Sequence, residues 1–144
     1  MDSKLLRTFV AVANHGSFTG AAKELYIAQS AVSKHINQLE RELGAQLFLR
    51  DTRMVRLTAA GEGFYRDSVD ILRRMDAART ALAVEQDNYA VDQLKYEQGT
   101  ISENTLLTAK DDLDTAQDTV NTAQRNLFSA YNNYRWAVDY GILN

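Results

Sequence analysis

Apolar residues along the chain follow a helical rhythm almost everywhere. Leu6, Phe9, Val10 and Ala13 repeat at three and four within residues 3–15, as one buried helix face requires. Gly16 follows His15 and marks the stop, since a glycine past the last turn adopts the left-handed conformation without strain. Ser17 or Thr19 can cap a short second helix, "TGAAKEL", whose Ala21 and Ala22 leave room for a crossing helix. After the tight connection "YIAQ" comes a third helix, "SAVSKHINQLEREL". Its Val32, Ile36, Leu39 and Leu43 form a core stripe. Then the period changes. "LFL" and "MVRLT" alternate as strands do, around a four-residue turn placed at Arg50–Arg53. Beyond Thr58, which can cap, helical pattern runs to residue 98 and, past Gly99 and a restart at Ser102, again over 103–140.

The last helix carries the most regular pattern. Leu106, Leu113, Val120, Leu127 and Tyr134 recur at sevens, and so do Ala109, Ala116, Ala123, Ala130 and Ala137 three positions later. This is a coiled-coil seam, and the nearest partner is the preceding helix, where Met75, Leu82, Tyr89 and Tyr96 also recur at sevens. The expected fold is mainly α: a winged helix-turn-helix head with a small two-stranded wing, followed by a long antiparallel helical, coiled-coil hairpin. The divisions read from the pattern are 1–58 for the head, 59–85 for a linker or dimerisation helix, and 86–144 for the hairpin arm. Met75, Leu82, Tyr89, Leu113, Val120 and Leu127 are the expected oligomerisation positions. In a hairpin, residues whose numbers sum to about 201 share a level. Phe128, Tyr131, Trp136 and Tyr140 then return beside the head as core or dimer surface.

Charge sharpens the division. Residues 1–79 carry net +3 and residues 80–144 net −6, so the two parts suit different partners. On the third helix Ser30, Ser33, Lys34, Asn37 and Arg41 form a polar stripe with two cations and no acid. Such a face suits a groove walled by phosphates, though a solvated helix face would look the same. Arg50, Arg53 and Arg56 put three guanidinium groups on or near the tip of the following hairpin. A three-helix unit with a basic hairpin is a winged helix-turn-helix, its third helix in the major groove and its wing over phosphates or a minor groove.

The motifs "GSFTGAAKEL", "QSAVSKHINQLERELG", "LFLR" and "RLTAAGE" make residues 1–66 resemble the N-terminal domain of LysR-type transcriptional regulators. The resemblance implies base or phosphate contacts from Gln29, Ser30, Ser33 and Lys34, and a wing contact from Arg53. His35 is either an extra contact or a partly buried filler. Lys34 stands where the family more often has Arg, which exchanges a bidentate fork for a point charge. The family binds double-stranded DNA as a homodimer through a long helix after the wing. Its large α/β effector-sensing domain has no counterpart in these residues, so no small-molecule effector site is expected. "YEQGTIS", the "LL.A..DL..AQ" run and "AYNNYRWAV" make residues 86–143 resemble a helical hairpin of TolC-like outer-membrane efflux proteins.

No cysteine is present, the two histidines have no metal-ligand spacing, and Asp111, Asp112, Asp114 and Asp118 face solvent on a helix. No catalytic, cofactor or metal site is expected. Nor is a secretory signal or membrane span, which places the chain in the cytoplasm. The leading expectation is a dimeric, sequence-specific transcriptional regulator in which Lys34, Arg50 and Arg53 hold the DNA backbone. The alternative is a structural or interaction module, its hairpin mediating oligomerisation or efflux-type assembly.

Overall fold

Each of the first three helices ends on a residue in the left-handed region. A computed structural model describes residues 2–51, 54–139 and 141. Helix α1 (Ser3–His15) stops at Gly16, φ 59°, and α3 (Gln29–Leu43) at Gly44, φ 69°. Helix α2 (Phe18–Leu25) stops at Tyr26, φ 55°, a conformation a non-glycine residue adopts only at some cost. The starts are equally local. Asp2 accepts from the Lys4 amide at 3.0 Å and Ser17 from Gly20 at 3.1 Å. Strands β1 (Phe48–Arg50) and β2 (Val55–Leu57) pair antiparallel, with Arg50 opposite Val55. Arg50 is therefore a strand residue and the turn begins at Asp51, one position later than the pattern suggested. Arg53 lies outside the described residues. Thr58 caps α4 (Ala59–Glu97), accepting from the Gly61 amide at 2.9 Å. Helix α5 (Glu103–Asp139) follows.

Two compact units emerge, Met1–Leu72 with Leu127–Asn144, and Arg73–Asn126. These boundaries differ from the divisions at 58 and 85, because the last turns of α5 pack with the head. In the first unit the predicted α3 stripe closes into one core with Leu6 and Phe9 of α1, while Val10 and Ala13 are only half-buried and Val12 takes their place. Leu6, Phe9 and Val12 of α1 meet Val32, Ile36, Leu39 and Leu43 of α3, all at most 1% exposed. Burial of each such side chain contributes about 1.5–3 kcal/mol. Phe9 links the rings of Phe48 (5.3 Å) and Phe64 (5.2 Å), and Phe64 meets Tyr134 of α5 edge-on at 5.1 Å. The Tyr134 hydroxyl donates to Asp67 (2.7 Å) and that of Tyr131 to Glu42 (3.1 Å). Tyr131 is buried, whereas Phe128 and Trp136 are more than half exposed. Tyr140 lies outside the described residues.

The second unit is a helical hairpin. The turn closes as expected, with Gly99 at φ 74°, the Thr100 amide donating to the Lys95 carbonyl (2.9 Å) and Ser102 accepting from the Thr105 amide (3.2 Å). All ten seam positions of α5 are buried or half-buried. Met75, Leu82, Tyr89, Leu113, Val120 and Leu127 are likewise taken up within a single chain.

Gly61 is buried where α4 passes the β1 approach, and a Cβ there would sit 2.1 Å from the Leu47 carbonyl oxygen. Gly61→Ala is expected to cost about 1–3 kcal/mol through forced backbone displacement, read as a lower urea midpoint. A second expectation concerns alkaline pH. The Tyr131 pKa is pushed up to about 12, first by burial and then by the hydrogen bond to Glu42. Tyr134 is raised too, by burial and then by Asp67. A raised tyrosine pKa means that the folded state holds the proton more tightly. The contribution is complete below the ordinary value near 10 and is lost as pH climbs toward 12. The urea midpoint of the wild type should fall more steeply between those pH values than that of Tyr131→Phe/Tyr134→Phe.

Candidate nucleic-acid interface

Helix α3 divides into two faces. Its core stripe anchors it, and the opposite face carries Ser30, Ser33, Lys34, Asn37 and Arg41 around one open concavity of about 740 Å³. The acid-free stripe expected from spacing is thus one continuous surface. Lys34, Asn37 and Arg41 are exposed and Ser33 is half-buried. Gln29 is exposed in the first turn, its side-chain oxygen 3.3 Å from the Thr19 hydroxyl of α2.

His35 turns partly inward. Thr8, 1% exposed, donates its hydroxyl proton to the Lys4 carbonyl (2.9 Å) and lies 2.9 Å from His35 Nδ1. A hydroxyl has one proton to give, so Nδ1 carries its own hydrogen and donates to Thr8. One nitrogen of the ring thereby braces α3 against α1.

Arg50, expected to hold the DNA backbone, is tethered to α3. Its guanidinium donates to Asn37 Oδ1 at 2.6 Å, approaches Glu40 Oε2 at 3.5 Å, and lies 5.8 Å above the Phe18 ring. It remains about half exposed, so it faces the surface while tethered to α3. Glu40 was missed by sequence reasoning. Its Oε1 accepts from the amides of Leu47 (2.9 Å) and Phe48 (3.2 Å), joining α3 to the start of β1. An acid between Leu39 and Arg41 of a helix gives no signal of backbone partners seven and eight residues on. Among the described residues no group of three His, Cys, Asp or Glu is placed to hold a metal ion. No helix among them is long and apolar enough to cross a membrane.

Comparison with known proteins falls on this same region. Residues 3–62 match the family model described as "Bacterial regulatory helix-turn-helix protein, lysR family". The chain is 53% identical over 78 residues to the HTH-type transcriptional regulator BudR of Klebsiella aerogenes, 54% of each chain. It is 45% identical over 83 residues to the HTH-type transcriptional regulator HdfR of Escherichia coli O139:H28, 58% of this chain and 30% of that one. The chain thus spans about half the length of BudR and less of HdfR. Among solved structures, the BenM_DBD/catB site 1 DNA complex matches with TM-score 0.54 and 42% identity, covering 56% of this chain and 90% of that one. The CbnR_DBD–DNA complex matches with TM-score 0.51 and 38% identity, covering 56% and 98%. None of these relatives supports the efflux-protein resemblance of residues 86–143.

Glu40→Ala removes the acceptor of two backbone amides and the carboxylate beside Arg50. An unsatisfied buried donor costs about 1–3 kcal/mol, so the urea midpoint should fall by a corresponding amount. Glu40→Gln, which keeps an oxygen acceptor, should recover part of the loss.

Proposed function

Because this chain belongs, through its N-terminal domain, to the lysR family of bacterial regulatory helix-turn-helix proteins, we propose that it is a sequence-specific transcriptional regulator that lays α3 in the major groove. That family is one of regulators, not enzymes. The observation that carries the reading is the continuous acid-free face of α3, Ser30, Ser33, Lys34, Asn37 and Arg41 around one concavity. Direct readout needs short donors and acceptors at base edges, with cations beside them for phosphates. In this reading Gln29, Ser30 and Ser33 meet bases, with Asn37 among them, while Lys34 and Arg53 hold the backbone and His35 supports α3 from behind. Arg50 acts through α3 rather than as a phosphate clamp.

DNA in this reading is bound by a homodimer, since paired heads read paired half-sites. The coiled-coil seam is closed within each chain, so the dimer contact uses outer faces of the long helices. The protein would work in the cytoplasm, where the chromosome is accessible.

The test is selection from a random DNA pool with the full chain, near physiological salt. Enrichment of a defined sequence is expected. Binding of all sequences alike, at the ~10⁻⁴–10⁻⁶ M of electrostatics alone, would overturn the reading. Lys34→Ala and Arg53→Ala should each weaken binding to every sequence and lower the salt slope by about 0.9. Gln29→Ala and Ser33→Ala should instead change which sequences are preferred, by roughly 1–3 kcal/mol at the affected base pair.

A further inference from the structure

Asn37 is held at its oxygen by a group that can only donate. Arg50 places its guanidinium nitrogen 2.6 Å from Asn37 Oδ1, and a guanidinium has five N–H donors and no acceptor. The amide atom facing it must therefore be oxygen. Rotating the amide by half a turn would set an NH₂ against a cation. Gln29 differs in this respect. Its partner is the Thr19 hydroxyl, which can give or accept a hydrogen bond, so either sense of the Gln29 amide finds a partner. Arg50 is itself held by Glu40 Oε2 at 3.5 Å and over the Phe18 ring at 5.8 Å. Those contacts keep it from leaving Asn37 at little cost.

The fixed amide has a consequence for what the helix can read. Arg50 takes one of the two lone pairs of Oδ1, and Nδ2 is the donor of Asn37 open to a partner in the concavity shared with Ser30, Ser33, Lys34 and Arg41. Lys34 and Arg41 are donors only, so Nδ2 adds to a face rich in donors. The bidentate contact of an asparagine with adenine needs its oxygen and nitrogen side by side on one base edge, accepting from N6 and donating to N7. Here one lone pair of that oxygen already accepts from the guanidinium, which leaves a poorer acceptor for adenine N6 and an undiminished donor at Nδ2. Guanine presents N7 and O6, two acceptors and no donor, in the major groove.

We propose that Arg50 sets the hydrogen-bonding sense of Asn37, so that the middle of α3 offers a donor and selects guanine, rather than adenine, at the base pair beneath it. Arg50 is a positioning residue in this scheme, and Asn37 determines specificity. The inference rests on the DNA-reading function proposed above.

The experiment repeats the random-pool selection with wild type, Asn37→Ala and Asn37→Asp. Asn37→Asp keeps an oxygen for Arg50 and replaces the outward donor with an acceptor. Guanine is expected at one base pair in the wild type. Asn37→Ala should relax that single preference by about tenfold and leave the others intact, and Asn37→Asp should turn it toward cytosine, whose N4 donates. If the wild type enriches sequence and Asn37→Ala leaves the whole pattern unchanged, this inference falls while the DNA-reading function stands. Adenine at the position that Asn37→Ala relaxes would overturn it equally, as would guanine retained by Asn37→Asp. Should Asn37→Asp bind nothing, the Asn37→Ala pattern decides. A wild type that enriches no sequence at all removes the function and the inference together.

Discussion

The carboxylate of Glu40 ties α3 to the strand pair that follows it. It sits in the penultimate turn of α3 and is largely buried. One oxygen takes the first two amides of the β1 approach, and the other faces Arg50. Backbone donors of an irregular segment must be paired when water is excluded, and here a single side chain from the neighbouring helix pairs two of them. The register of β1 against α3 follows from that contact. So does the place of Arg50, which crosses from the strand to Asn37 because Glu40 brings the strand alongside the helix. Beneath this link the rings of Phe18, Phe48, Phe9 and Phe64 run as a continuous apolar seam. Polar tie and aromatic packing thus fix the same register from two sides.

Much of this head was legible in the residue pattern, and the reason is local. Gly16, the cap read as Ser17 or Thr19, and the two stripes of α3 each depend on neighbours within one or two turns. The polar stripe transferred unchanged to the surface because a helix cannot rotate its faces independently. What the pattern hid were contacts across elements. Arg50 read as a tip cation, since nothing in the sequence says that residue 37 will lie within 2.6 Å of it. Tyr131 and Glu42 are 89 positions apart, and only the packed fold brings them together. His35 was left open between contact and filler. The Thr8 hydroxyl, on another helix, resolves one of its nitrogens into a structural role.

The heptads of α5 were equally legible, and so was their partner, because a turn of three residues leaves the preceding helix nearest. A seam of alternating large residues and alanines specifies close helix pairing without naming the partner chain. In the second unit that partner is the preceding helix of the same chain, joined by a turn too short to let it diffuse away. The matches to BudR and HdfR span 78 and 83 residues, and the pairing of α5 is argued from packing alone.

The turn that closes the hairpin has one further property. A side-chain carbon added at Gly99 would have nothing within 4 Å. Lengthening such a connection costs little, since each doubling of a flexible loop adds only about 0.6 kcal/mol of closure entropy. The apex is therefore a place where foreign sequence can be spliced in without crowding its surroundings. In a chain devoid of cysteine, one thiol carried by that insert would be the sole handle for a fluorophore or a surface tether.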